Sequence, residues 1–249
     1  MTEINDRIGS YGFMVEPFHA DFTGRLTLAV LGNHLLNCAS FHAKDRGFGI
    51  GTLNQQHYTW VLSRLVVEME EMPSEYDKFT VETWVEAVYR LFTDRNYRVA
   101  AADGRTLGYA RSVWAMIGMD DRKPVEMTKV NDGRIMDYVT DYPCPIDKPA
   151  RIKLAAPRLA TTHRVTYSDI DINGHVNSIR YIEHILDAFD ISYFKDTAVK
   201  RFEIAYVTES YYGDTLDVWI EEAGDKAFNV EIKKDGGKST VCRGHVSFG

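Results

Sequence analysis

Asp171-Ile172-Asn173-Gly174-His175-Val176 has a counterpart in Asp21-Phe22-Thr23-Gly24-Arg25-Leu26, at an offset of 171 less 21, or 150. The pairing decides the fold. An acid, a small polar residue and a glycine open a helix-like stretch in both places. After the first, Leu28, Leu31, Leu35, Cys38 and His42 recur at spacings of three and four, the mark of a helix with one buried face. After the second, Val176, Ile179, Ile182, Leu186 and Phe189 do the same. Asp21, Thr23, Asp171 and Asn173 are the expected N-caps, and Gly47 and Gly49 the first helix's stop. Strand-like runs follow each helix: Tyr58–Met69, Lys78–Phe92, Tyr97–Ala102 and Thr106–Met119 in the first half, then Phe202–Val207, Thr215–Glu221, Phe228–Lys233 and Ser239–Phe248. His163–Tyr167 alternates like a strand ahead of the second helix. Asp77-Lys78-Phe79-Thr80-Val81 resembles Asp214-Thr215-Leu216-Asp217-Val218 at an offset of 214 less 77, or 137, so loop lengths differ between the halves. One strand-helix-sheet unit is used twice, and each sheet must wrap its helix to bury it.

Pro143, Pro145, Pro149 and Pro157 break regular structure between the halves. The expected domains are residues 1–140 and 159–249, joined by a linker over 141–158. Apolar residues make up 45% and aromatics 12% of 249 residues, ordinary globular values. The net charge of −7 leaves no excess of cations for phosphates, which argues against nucleic acid as a partner. Cys38, Cys144 and Cys242 form no CxxC pair and suit a reducing compartment. Residues 1–7 lack a basic, then apolar leader, and no run of about 18 apolar residues exists to cross a membrane. The expectation is a soluble cytoplasmic protein.

The densest polar cluster is Ser168-Asp169-Ile170-Asp171-Ile172-Asn173-Gly174-His175-Val176-Asn177. A bland reading has Asp171 or Asn173 cap the helix, Gly174 ease the turn and His175 sit at the surface. Capping, however, needs only what both halves share. Thr23 and Arg25 stand in the first half where Asn173 and His175 stand in the second. An imidazole and a carboxamide beside helix N–H groups supply a proton-transfer group and donors to a developing oxyanion.

Asp169-Ile170-Asp171-Ile172-Asn173-Gly174-His175-Val176-Asn177, continuing through Tyr181-Ile182, resembles the signature of the acyl-acyl carrier protein thioesterases, the plastid enzymes of plants and their bacterial relatives. Tyr206-Val207-Thr208-Glu209-Ser210 is similar to that family's second active-site segment. Tyr58-Thr59-Trp60-Val61-Leu62, Thr80-Val81-Glu82-Thr83-Trp84 and Ser112-Val113-Trp114-Ala115-Met116 resemble its first-domain strands. The likeness covers nearly the whole chain. It implies an α+β fold of two tandem hotdog domains, each an antiparallel sheet wrapped around a long helix. It also implies hydrolysis of a fatty acyl-acyl carrier protein thioester to free fatty acid, in fatty acid biosynthesis, with no cofactor and no metal. The partner it implies is acyl carrier protein with its phosphopantetheine-linked acyl chain. The assembly state is left open, a homodimer included.

Carried over position by position, the resemblance assigns catalytic roles to Asp171, Asn173, His175 and Glu209. Glu209 would activate or orient water, Asn173 donate to the thioester carbonyl, His175 manage the proton, and Asp171 orient its neighbours. The family's first domain houses the acyl tail, so Leu31, Leu35 and Trp60 are expected pocket walls. Many plant members have Cys directly after the catalytic Glu, where this chain has Ser210. A serine with no strong base beside it is a poor nucleophile, which favours attack by water. The family's paired asparagines are reduced to Asn177-Ser178, which weakens Asn177 as a catalytic group. Alternatives on the same scaffold are an acyl-CoA thioesterase, a non-catalytic acyl-binding protein and a dehydratase.

His163, His184 and His245 have no HxxxH or HExxH spacing and are expected to be structural or solvated. Gly47-Phe48-Gly49-Ile50-Gly51 lacks the Lys-Ser/Thr of a phosphate loop and reads as helix termination. Tyr211-Tyr212 and the tryptophans read as core or sheet-face residues rather than a stacking platform. Two basic clusters, Arg151/Lys153/Arg158 and Lys195/Lys200/Arg201, are candidate landing sites for an acidic carrier protein.

Overall fold

A computed structural model describes residues 6–129 and 131–249. The leader reading falls on residues 1–7, of which the first five lie outside the described residues. The chain divides into two compact units, one of residues up to 63 with 70–147, the other of 64–69 with 148–249.

The first unit contains strand β1 (Ile8–Met14), helices α1 (Leu28–Asp45) and α2 (Ile50–Asn54), the start of β2 (Tyr58–Met69), and β3 (Lys78–Val88), β4 (Phe92–Ala101) and β5 (Thr106–Gly118). β1, β3, β4 and β5 pair antiparallel in that order. The apolar stripe of α1 faces β1 and β3, burying Leu28, Leu31, Leu35 and Cys38 together with His42. Strand boundaries differ from the sequence reading in several places, among them the run His163–Tyr167, where the strand is Arg158–Arg164 and Tyr167 opens a 3-10 turn. The run 78–92 breaks at a tight hairpin, where Tyr89 N–H donates to the Phe92 carbonyl, and Phe92 begins β4 rather than ending β3. No Gly, Pro or Asn marks that turn. Strand β1, with two glycines, gave no alternation to read.

The second unit contains β6 (Arg158–Arg164), helices α3 (Ser178–Leu186) and α4 (Ser192–Asp196), and β7 (Val199–Tyr206), β8 (Thr215–Gly224), β9 (Ala227–Lys234) and β10 (Ser239–Phe248). Residues 64–68 of β2 pair with β7, and the ladder continues through β10, β9 and β8 to β6. Leu216, Val218 and Ile220 alternate inward along β8, as a one-sided sheet requires. The buried side chains of α3 include Ile179, Ile182 and Ile185. A Cβ at Gly244 on β10 would stand 3.2 Å from Ile185 Cδ1 and 2.9 Å from the Glu203 carbonyl, so only glycine admits that approach. This helix is 9 residues long against 18 for α1.

The expected N-caps are not the observed ones. Thr27 Oγ1 caps α1 by accepting from Val30 N–H at 3.2 Å, and Asn177 Oδ1 caps α3 by accepting from Ile179 N–H at 3.0 Å. The acids upstream are occupied in closing a loop, described below. The segment 141–158 is tied down rather than loose. Arg111 donates to the carbonyls of Cys144 and Ile146, Trp84 Nε1 to that of Tyr142, and Glu203 and Glu221 accept from Ala150, Ala155 and Ala156 N–H.

Two histidines are buried in a neutral state. Burial first, then Arg95 and Arg46, push the His42 pKa down to about 2, and burial first, then His163, push His184 down to about 4. An unfolded chain protonates both near pH 6.5 while the folded one does not, so folding stability is full above that value and is lost as pH falls. Each group should cost up to ~1.4 kcal/mol per pH unit below pH 6.5, His184 ceasing to contribute near its folded pKa. Urea midpoints should drop from pH 7.5 to pH 5; a constant midpoint would contradict these burials.

Candidate active site

Asp171 and Asp21 build the same loop. In the second unit Asp171 Oδ1 accepts from Asn173 N–H at 2.8 Å and His175 N–H at 3.2 Å, Asp171 N–H donates to the His175 carbonyl at 2.8 Å, and Gly174 N–H donates to the Asp171 carbonyl at 3.0 Å. In the first unit Asp21 Oδ1 accepts from Thr23 N–H at 2.8 Å and Arg25 N–H at 3.4 Å, with backbone bonds of 2.8 and 2.9 Å at the matching positions. Gly174 and Gly24 lie at φ of 80° and 75°, where a side chain is strained. The spacing Asp-x-polar-Gly-x is therefore a loop device, and the side chains of Asn173 and His175 are additions to it.

The loop is then stapled to a second segment. Val176 N–H donates to the Ser210 carbonyl at 2.9 Å, as Leu26 N–H donates to that of Pro73. Pro73 thus stands where Ser210 does, and Met72 where Glu209 does. The staple brings Glu209 to the loop, with its Oε1 3.5 Å from His175 Nδ1. Asn173 Nδ2 lies 3.4 Å from Asp171 Oδ2. The structure therefore gathers Asp171, Asn173, His175 and Glu209 into one constellation. His175 and Glu209 keep 24% and 37% of their side-chain surface exposed, so the pair is open to solvent. The first unit retains the loop and has Thr23, Arg25 and Met72 at the positions that match Asn173, His175 and Glu209.

Two neighbours escaped the sequence reading. Tyr211 is half exposed rather than a packed sheet-face residue; its hydroxyl donates to Glu209 Oε2 at 3.3 Å, and its ring meets that of His175 edge-on at 5.1 Å. Lys234 Nζ donates to the Glu209 carbonyl at 2.8 Å, pairs with Asp214 at 3.1 Å, and lies 5.3 Å from the Tyr211 ring. Tyr211 sits two residues beyond Glu209, so adjacency was a signal for it. Lys234 is brought in from β9, and no local signal announces it.

Ser210 is fully buried, and the group beside its hydroxyl is the Tyr181 phenol, which burial keeps protonated and which is no base. Cys38 and Cys242 are also buried, and burial pushes the Cys38 thiol up to about 12. Leu31 and Leu35 are fully buried in the first unit's core. Trp60 is half buried, donates to the Phe48 carbonyl at 2.9 Å and lines a cavity in that unit.

Among the described residues, His163, Asp169 and His184 are three potential metal donors within 4.8 Å of one another. Their observed bonding is that of a clamp. Asp169 Oδ2 accepts from His163 Nε2 at 2.9 Å and from Thr166 N–H and Oγ1 at 2.7 and 3.1 Å, while the two imidazoles stack with centroids 4.0 Å apart. Burial works to raise the Asp169 pKa, and the hydrogen bonds from His163 and Thr166 outweigh it, holding the carboxyl below its usual range. The clamp fixes the turn Tyr167–Asp169 directly ahead of the Asp171 loop. His245, on β10, hydrogen-bonds to Asn229 at 3.0 Å.

No helix of the described residues is long and apolar enough to cross a membrane. The family model described as the acyl-ACP thioesterase N-terminal domain matches residues 10–131, and that of the C-terminal domain matches 153–248. The chain is similar to oleoyl-acyl carrier protein thioesterase 2, chloroplastic, of Arabidopsis thaliana, at 24% identity over 82% of this chain. It spans 60% of the length of that relative. A crystal structure of an acyl-ACP thioesterase from Bacteroides thetaiotaomicron superposes with a TM-score of 0.94 at 59% identity, covering 100% of both chains. The 12:0-ACP thioesterase from Umbellularia californica shares the fold at 20% identity and a TM-score of 0.85, over 98% of this chain and 97% of that one. Matched in both halves by the family's two domain models, this chain belongs to the acyl-ACP thioesterase family.

Proposed function

We propose that the chain hydrolyses the thioester of fatty acyl-acyl carrier protein, releasing free fatty acid, by attack of a water that Glu209 activates. The observation that carries the reading is the asymmetry of the repeat: two units build one loop, and only the second arms it with Asn173, His175 and Glu209. In the reaction the water oxygen bonds to the thioester carbon while its proton passes to the Glu209 carboxylate. The carbonyl π pair moves onto oxygen, where the Asn173 carboxamide donates to it. When that pair returns, the C–S bond breaks and the pantetheine sulfur leaves, taking up the proton that Glu209 and His175 hold. Asp171 spends its carboxylate on two backbone N–H groups and acts by fixing the loop. Release of thiol from acyl-acyl carrier protein at a rate well above that from the acyl-CoA of equal chain length tests the reading. Comparable turnover on both would favour the acyl-CoA alternative, and binding without thiol release the non-catalytic one.

Ser210→Ala distinguishes water from an acyl-enzyme. With the hydroxyl buried and without a base, its loss should cost less than about tenfold in kcat, on the order of 1 kcal/mol. An inactive but folded Ser210→Ala enzyme would overturn the water route.

Trp60 supports a tail site in the first unit. Substitutions that enlarge or fill this wall should shift chain-length preference by roughly 1 kcal/mol per methylene equivalent, about fivefold, without abolishing hydrolysis. An unchanged kcat/KM profile over a chain-length series would place the tail elsewhere.

For the carrier protein, Arg151, Lys153 and Arg158 are exposed cations. Arg201 of the other cluster is spent on Glu68 and Glu203 at 2.6 and 2.8 Å. The first cluster is the better landing site for an acidic partner. Cys38, Cys144 and Cys242 all stand as thiols, in keeping with a cytoplasmic enzyme.

A further inference from the structure

Arg95 sits on β4, in the first unit, with 4% of its surface exposed. A guanidinium carries five donors in a planar fork, and burying its charge without an anion is costly. The hydrogen bond that Arg95 makes is neutral, from Nη1 to Thr83 Oγ1 at 3.1 Å, and Thr83 itself donates to the Asn96 carbonyl. Among the described residues no carboxylate lies within ion-pair distance of it. The titratable groups that act on it are Tyr97, Tyr11 and Cys38, with Arg46 as a second cation. Across the helix-sheet interface His42 is fully buried, with Nδ1 unpartnered, and Arg95 helps keep it uncharged. The centre of this unit is thus positive.

Arg95 also forms part of a cavity wall. Its neighbours there include Phe48, Trp60, Trp114 and Ile135, with Ala39 and Ala43 from α1. The lining is mostly apolar and aromatic, with Ser40 and Thr93 as neutral polar members and Arg95 as its one charged residue. An alkyl group laid against Arg95 would leave the charge uncompensated, whereas a carboxylate matches its fork with two parallel hydrogen bonds.

We propose that this cavity is a binding site for a fatty monocarboxylate, whose head pairs with Arg95 and whose chain lies along Trp60, Trp114 and Ile135. The site rests on the tail site argued above, whose Trp60 wall it shares, and adds to it a carboxylate partner, Arg95, that hydrolysis does not use. The acid released by the proposed reaction is of this ligand class, so product and the tail of incoming substrate would compete for the Trp60 wall.

The probes are decanoate and 1-decanol, equal in chain length and different in charge, titrated at pH 8 against the full chain with tryptophan fluorescence as readout. Decanoate should bind at least tenfold more tightly than decanol. The preference should vanish in Arg95→Met and persist in Glu209→Gln. Its loss in Glu209→Gln with Arg95→Met unaffected would put the carboxylate in the catalytic loop and overturn the proposal. Equal affinity for the two probes, or a preference that survives Arg95→Met, would overturn it as well. Should Arg95→Met fail to fold, single tryptophan replacements decide the matter. The decanoate signal should fall in Trp60→Phe or Trp114→Phe and stay in Trp219→Phe; a signal lost only in Trp219→Phe, in the second unit, refutes the site.

Discussion

Glu209→Gln is expected to lower kcat on acyl-acyl carrier protein by about 10² or more, the usual range for a general base, with the fold intact. The substitution keeps the shape of the side chain and the backbone bonds to it, since Lys234 Nζ and Val176 N–H address the carbonyls of Glu209 and Ser210. What it removes is the carboxylate facing His175 Nδ1. Steady-state kinetics beside a urea midpoint separate a chemical from a structural loss. Turnover within a few-fold of wild type, on folded protein, would take Glu209 out of the mechanism.

Asn173→Ala is expected to cost about 10²-fold in kcat with little change in KM, the behaviour of a donor that acts on charge developing in the transition state. The repeat supplies the control. Thr23 occupies the matching position of the first unit's loop, and its hydroxyl bonds back to Asp21 at 2.6 Å. Thr23→Ala should leave kcat within a few-fold of wild type. Equal losses from the two substitutions would mean that the loop acts through stability and not through the carboxamide.

Much of this arrangement is legible in the chain because it is local. The Asp-x-Asn-Gly-His spacing is dictated by one carboxylate gripping two N–H groups, so both loops announce themselves at a fixed offset, and β10 occupies the run 239–248 that its alternation marks. The same locality misleads at the helix starts. Asp21 and Asp171 look like caps, and the caps are Thr27 and Asn177, six residues on, because the acids close the loops first.

What was hidden is held by contacts between elements. Lys234 reaches Glu209 from β9, and His163, Asp169 and His184 meet from a strand, a turn and a helix. No spacing rule encodes such a meeting. Arg95 falls in sequence between the runs 78–92 and 97–102 and in the fold is a buried cation within β4, where three successive residues are buried. Glu209 itself is tied to the loop through the Val176 to Ser210 bond, which joins segments 34 residues apart.

The most direct test of the mechanism is a rapid-quench single turnover of acyl-acyl carrier protein with enzyme in excess, followed by intact-mass analysis of both proteins. Attack by Glu209-activated water predicts free fatty acid and carrier-protein thiol appearing together, with the enzyme at its unmodified mass at every time point. An enzyme species carrying the acyl group, formed and consumed at the rate of thiol release, would contradict it.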